Sequence, residues 1–438
     1  MLENFLREYN ANRVFLSITG LWPFQNRYLR NILKTFFFLL EISYCPFELM
    51  LLYYHWDNPQ MVFEGSYQLA MSMSFIGRQI NMFWNDTKVS LRQVRRVVLG
   101  DSFYIVYCGT TTFRPNMLNR FHVYGDQLQR LYQTIDEHWN IFTNDTEVEV
   151  MKNYSTLSRK FTKYYSMLMF STMLIFMIIP LTPILLDIVV PLNESRPRFF
   201  AVELELKVNK DDYFIPILCY TTIVVLVGAT VVMSVDAMHI ACTAHACSLF
   251  AAISKQLENI NLKANNELKE PGDYMKFNRL NEEIIYREYI ICLKKHQLAI
   301  KFVNTLDSTY QGLSLLLLVL LVGTISLISV RIIYVLNEVR QVIKYTFALT
   351  ACLVTLMIVC YSSQRLMDES QSIFYRAYAA EWYKFSSRLK SLLIITLYRS
   401  NVPSGLKAGN MIPLSIATYA AVVRIAMSYF TAFTSIKE

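Results

Sequence analysis

Seven apolar stretches, each about as long as a bilayer is thick, recur along this chain, and the basic residues between them alternate between many and few. A hydrocarbon core of roughly 30 Å takes about 20 apolar residues in helix. On that count the spans are 31–54, 67–84, 166–187, 214–236, 312–333, 345–362 and 411–433, the second and sixth being the shortest. Lys and Arg are retained on the cytoplasmic side. The segment before the first span (with Lys34) and the gaps 85–165, 237–311 and 363–410 together hold 32 of them. The gaps on the other side and the tail hold 8, and Arg78 and Arg424 lie inside spans. The reading is an all-α, seven-transmembrane helical membrane protein with a cytoplasmic N-terminus and an extracellular C-terminus.

Composition agrees, since 54% apolar and 17% charged residues are too oily for a soluble protein of 438 residues. The net charge of +8 sits beside the spans, where it serves topology and lipid headgroups, and no nucleic-acid partner is expected. The first residues lack the apolar core and cleavage site of a signal peptide, so membrane entry is expected to rest on the first span. All eight cysteines (Cys45, Cys108, Cys219, Cys242, Cys247, Cys292, Cys352 and Cys360) fall in spans or cytoplasmic gaps, leaving no disulfide framework outside. The outside loops are short, which favours a small molecule reaching the spans over a protein ligand captured by an ectodomain.

The cytoplasmic gaps are patterned. Apolar residues recur at helical spacing over 86–99, 117–138 and 284–305, predicting inward extensions of the spans that pack as a cytoplasmic helical anchor bundle. Residues 263–276, with Asn265-Asn266 and Pro271-Gly272, read as a flexible loop. Near the end, 386–399 is an amphipathic helix, and Pro403, Gly405, Gly409 and Pro413 break it from the last span. That break fits either a functional in-membrane interruption or a plain loop. Three regions result: a cytoplasmic segment 1–30, six spans with their extensions over 31–385, and an anchor helix, break and last span over 386–438.

No catalytic constellation emerges. Asp236, His239, Cys242 and His245 recur every three residues, with Cys247 following, and neighbours in such a row could share a zinc ion. Small and polar residues at that position also serve helix packing, and no metal or other cofactor is assigned. Intramembrane charges point to function by default because they are costly in lipid. Glu41 and Glu48 lie two turns apart on one face and should look towards protein or water. Arg424, central in the last span, fits a salt bridge to a neighbouring helix or exposure to an aqueous pathway. Met71, Met73, Phe176, Tyr220, Tyr345 and Phe347 sit at outer depth in four spans, where aromatic and Met side chains suit a volatile or lipidic ligand. Each of them singly also fits plain packing. Of four N-x-[ST] sequons, at Asn85, Asn144, Asn153 and Asn193, only Asn193 would lie outside.

The last 60 or so residues carry a resemblance. YRAYAAEW, with Tyr378 and Trp382, and the run with Arg399, Pro403, Gly409, Pro413 to Ser415 and Ser428-Tyr429 are similar to the carboxyl signature of the insect odorant receptor family. TIDEHWNIF (Asp136, Trp139) and DAMHIACTAHACSLF (Asp236, His245) resemble further family stretches. The ending differs from that of the gustatory receptors, and the long cytoplasmic insert of the shared co-receptor is missing. The resemblance implies an odorant-binding tuning subunit of a heterotetrameric, ligand-gated, non-selective cation channel. Its partners would be a small volatile or lipidic odorant, co-receptor subunits and membrane lipid, in the plasma membrane of olfactory sensory neurons. It also implies a pocket in the outer halves of spans two, three, four and six. Two apolar pore positions are implied shortly after Ser428-Tyr429; counting three and seven residues on gives Ala432 and Ile436. A G-protein-coupled receptor is the alternative, opposed by the charge count and by missing D-R-Y and N-P-x-x-Y motifs. A secondary transporter is weaker still, for want of inverted repeats.

Overall fold

The computed structural model describes residues 2–99, 127–190, 196, 198, 200–206, 212–267, 274–380 and 382–437, with side chains described except at 84–99, 127, 261–267, 274–281, 384, 433, 434, 436 and 437. Ten α-helices are described: α1 (Glu3–Ile18), α2 (Arg27–Tyr54), α3 (Pro59–Leu99), α4 (Gln127–Ile141), α5 (Asp145–Val189), α6 (Phe214–Glu267), α7 (Tyr274–Tyr334), α8 (Val339–Tyr378), α9 (Ser387–Ser400) and α10 (Ile416–Lys437). Five of them, α2, α5, α6, α7 and α8, are long and apolar enough to cross a membrane, and α10 is apolar over Ile416–Ala432. In α3 the apolar run is interrupted by Glu64 and Arg78, both buried against neighbouring helices. All seven stretches marked out by the sequence thus lie wholly or mainly in helix, and the two short ones belong to the 41-residue α3 and the 40-residue α8.

Length separates two zones. At 1.5 Å per residue, α6 and α7 are about 80 and 90 Å long, against a hydrocarbon core of about 30 Å. The excess lies at the end where α1 docks, on the side rich in Lys and Arg. There, Phe5 stacks on Trp22 with 5.6 Å between ring centres, and Trp22 on Tyr132 at 5.5 Å. The first turn of α1 has no cap of its own, and the Phe5 amide instead donates to Asp136 Oδ1 of α4 at 3.0 Å. Asn12 Nδ2 donates to the Ala237 carbonyl of α6 at 2.7 Å. Lys295 Nζ reaches both carboxylate oxygens of the buried Glu147 at 2.7 Å. His138 Nδ1 and His245 Nε2 are 3.1 Å apart in stacked, buried rings. Burial pushes His138 down to about 4, and His245 well below its ordinary value, with the neighbouring His138 as second cause.

One expectation changes. Helix covers 263–267 and 274–276, part of the stretch 263–276 expected as a loop; 268–273 lie outside the described residues, together with 117–126, Cys108 and Asn193. The metal-like row also separates. Three-residue steps drift around a helix, and Asp236 turns to Arg78 of α3 while His245 turns to His138 of α4. Among the described residues no three His, Cys, Asp or Glu side chains converge.

Between α9 and α10, two short strands, Lys407–Ala408 and Ile412–Pro413, pair antiparallel. Gly409 and Asn410 take φ of 60° and 61° at the turn, a conformation these residue types tolerate. A Cβ on Gly409 would also stand 2.6 Å from Leu315 of α7.

Candidate functional site

A cavity of about 150 Å³ opens among α2, α3, α5, α6, α7 and α8. That is the size of an engineered apolar cavity known to hold benzene. Its wall is mostly aliphatic, aromatic and Met: Met71 and Phe75 of α3, Met169, Met173 and Phe176 of α5, Val224, Val225 and Val232 of α6, Leu321 and Ile328 of α7, and Ala348 and Cys352 of α8. Small residues keep the space open. A Cβ on Gly228 of α6 would stand 2.4 Å from the ring of Phe75 and 3.0 Å from Glu41 Oε1.

The roof is polar and tied down. Glu64 is 1% exposed and faces two cations, Arg331 Nε at 3.1 Å and Lys344 Nζ at 3.2 Å. Tyr345 hydroxyl also donates to Glu64, and Gln68 Nε2 does so at 2.9 Å. Lys344 Nζ additionally donates to the Ala201 carbonyl at 3.0 Å. That bond holds the irregular segment 201–206 inside the bundle, where Val202 joins the cavity wall and Ala201, Val202 and Leu204 pack with Tyr44 and Val224. Arg331 and Lys344 share one carboxylate in Glu64, and the Ala201 carbonyl gives Lys344 a second acceptor.

The floor is an ion pair. Arg78 Nε and Nη2 reach Asp236 Oδ1 and Oδ2 at 3.0 and 2.9 Å, a bidentate fork buried from solvent. Tyr165 hydroxyl donates to Asp236 Oδ2 at 3.0 Å and lies 3.4 Å from Thr355 Oγ1, and Ser74 hydroxyl accepts from Arg78. Four helices, α3, α5, α6 and α8, meet in this network. Beneath it lies a smaller cavity of about 40 Å³, bounded by His239, Tyr310, Leu313 and Leu414, which shares Arg78, Leu321 and Thr355 with the upper one. Leu414 is two residues before α10.

Of the six residues named from sequence, Met71 and Phe176 line the upper cavity. Met73 does not; it is half exposed, because its neighbours on the helix turn inward and it turns out. Phe347 is 36% exposed for the same reason of helical phase. Tyr220 sits behind the wall, its hydroxyl 2.8 Å from Ser43 Oγ and its ring against Tyr44 and Phe47. Tyr345 is fully buried in the roof, edge-on to Tyr67 at 5.7 Å. The contribution of α2 was missed. Tyr44 and Glu48 both line the cavity, and the signal was present in the two acids of the first span. Ala432 is exposed on α10, and Ile436 lies in the same helix with its side chain outside the described residues.

Comparison with known proteins gives one consistent answer. The family model "7tm Odorant receptor" matches residues 99–427. Curated relatives include odorant receptor 22b of Drosophila melanogaster, 25% identical over 40% of this chain and 41% of its own. Odorant receptor 33a of the same species is 27% identical over 33% and 38%. Odorant receptor Or2 of Anopheles gambiae is 24% identical over 34% and 39%. The alignments thus span about two fifths of these relatives' length. The olfactory receptor OR5 of Machilis hrabei, solved in complex with eugenol, superposes with a TM-score of 0.73 at 11% identity over 99% of both chains. With three quarters of its length matched by the family model and the whole of it by the fold, this multi-pass membrane protein belongs to the insect odorant receptor family.

Proposed function

We propose that the chain is the odorant-binding tuning subunit of a heterotetrameric, ligand-gated, non-selective cation channel, working with co-receptor subunits in the plasma membrane of olfactory sensory neurons. The family is one of ligand-gated channels and not of enzymes. The observation that carries the reading is the cavity itself: mainly apolar, roofed by 201–206 and floored by Arg78–Asp236. Met71 and Phe176 are the ligand contacts that sequence and geometry share, with Tyr345 acting through Tyr67. Recognition of the ligand's apolar body follows shape and size, each lost methylene being worth about 0.8 kcal/mol. The eugenol complex of the Machilis receptor supports a small aromatic or lipidic odorant as the ligand class.

Conduction is assigned to α10. This helix packs on α7 and α8 through Val422 and Ala426, while Arg424, Ile425, Met427 and Tyr429 are exposed on the single chain. Such an open apolar face suits assembly around a shared axis. Ala432 and Ile436 are then the pore positions, one turn apart on one face. In cells expressing the chain with and without the co-receptor, odorant-evoked current should require both and persist under G-protein block. Ile436→Lys should reach the surface yet weaken cation current, since a fixed positive charge in a constriction repels cations. Odorant current abolished by G-protein block would refute the channel reading.

A further inference from the structure

Every acidic or basic side chain bordering the cavity is matched by a group of opposite charge except one. Arg78 is neutralised by Asp236, and Glu64, just above, by Arg331 and Lys344. Glu48 is 0% exposed and lines the cavity; its Oε1 accepts from Ser72 hydroxyl at 2.8 Å, and its Oε2 has no hydrogen-bond partner among the described residues. Tyr44, one turn earlier on the same face of α2, is 3% exposed, lines the same cavity, and its hydroxyl likewise finds no partner there. One turn further back, Glu41 is also 0% exposed, and both its carboxylate oxygens are without a hydrogen-bond partner among the described residues. A buried acceptor left unmade is costly, and natural structures retain such groups where something else completes them.

We propose, resting on the odorant-receptor reading above, that Glu48 and Tyr44 are the polar recognition point of this cavity. The agonist is then a compact apolar molecule with one hydrogen-bond-donating head, a hydroxyl or a protonated amine. Its body fills the Met71, Phe75, Met173 and Phe176 wall, and its head donates to Glu48 Oε2 within reach of Tyr44. The cavity volume of about 150 Å³ limits the body to about a single ring with a short chain. A site built around a buried acceptor discriminates strongly, because an analogue without the donor leaves that acceptor bare.

The test uses shape-matched series of benzyl alcohol, benzylamine and ethylbenzene, with 1-heptanol, heptylamine and octane, on the full chain co-expressed with the co-receptor. The same compounds are run as thermal-shift ligands on the purified receptor in nanodiscs. Alcohol or amine should outdo its hydrocarbon by about tenfold or more in potency or in half-maximal stabilising concentration. Glu48→Leu should collapse that ratio to about one, and Tyr44→Phe should reduce it, with surface labelling controlling for folding. Glu48→Gln separates the two heads: a hydroxyl keeps its acceptor, whereas an ammonium loses its counter-charge. Donor-dependent stabilisation without current would leave the Glu48 assignment standing and count against the channel reading. Robust current to hydrocarbons, unchanged by Glu48→Leu, would do the reverse and overturn the assignment, as would a donor series that neither activates nor stabilises.

Discussion

Removing one half of the Arg78–Asp236 pair should do far more damage than removing both. At 2.9 Å the attraction is about 6 kcal/mol for an effective dielectric of about 20. Desolvation of the two ions costs several kcal/mol each and offsets most of it, so the net contribution of the intact pair is small. An unmatched partner is another matter. Arg78 and Asp236 are 2% and 6% exposed, and an uncompensated charge at such a site costs about 3–5 kcal/mol. Asp236→Leu and Arg78→Leu should therefore each lower the melting temperature of the purified receptor and its surface level strongly. The double variant should recover most of the loss, because α3 and α6 can then meet through apolar contact, with Tyr165 and Thr355 still able to approach one another. Thermal unfolding of the four proteins in nanodiscs closes the cycle. If the double variant shows the sum of the two single losses, the two residues are not coupled and the floor is not an ion pair. Ligand potency measured on the same four proteins reports separately whether the floor shapes the cavity.

Three other outcomes follow from the geometry. His138, held at about 4 against an ordinary 6.5, binds fewer protons folded than unfolded between those values; bundle stability should be complete above pH 6.5 and fall by up to about 3 kcal/mol as pH drops through the window, and His138→Phe should flatten the slope seen by hydrogen exchange of α4. Gly228→Ala forces Phe75 to move and should cost about 1–3 kcal/mol of thermal stability while shifting odorant preference towards smaller ligands; unchanged tuning would show that Phe75 yields without narrowing the cavity. Lys344→Met frees the Ala201 carbonyl and should weaken the roof by about 1.5–3 kcal/mol, seen as faster odorant washout; identical washout would mean that 201–206 is held by packing alone.

The spans, their helical continuations and the family were legible because they rest on one-dimensional signals: hydropathy over about 20 residues, period-3.6 patterning, and a carboxyl-terminal motif. What could not be read was rotation about each helix axis. Met71 and Met73 have the same chemistry and depth, yet only Met71 reaches the cavity, a difference of about 200° in helical phase. Partner choice was equally hidden. Asp236 and His245 were visible as polar residues on one stretch, but which helix each faced depended on α3 and α4, some hundred residues or more away in the chain. Glu48 was the intermediate case, legible as a residue that had to face protein, illegible as a wall of the cavity until α2 was seen beside α3.

The hairpin before α10 is bonded on two sides. The Gly409 amide donates to the Gln311 carbonyl at 2.9 Å and the Lys407 amide to Asp307 Oδ1 at 2.7 Å, both on α7, while the Leu406 amide donates to Ser363 Oγ of α8 at 3.3 Å. The base of α10 is thereby a fulcrum fixed to the two helices that border both cavities. Its 22 residues make an arm about 33 Å long, so a tilt of about 5° at the base carries the tip about 3 Å. On the proposed reading, a small tilt of that base on ligand binding would be levered over the arm into a shift of about 3 Å at the end where Ala432 and Ile436 lie.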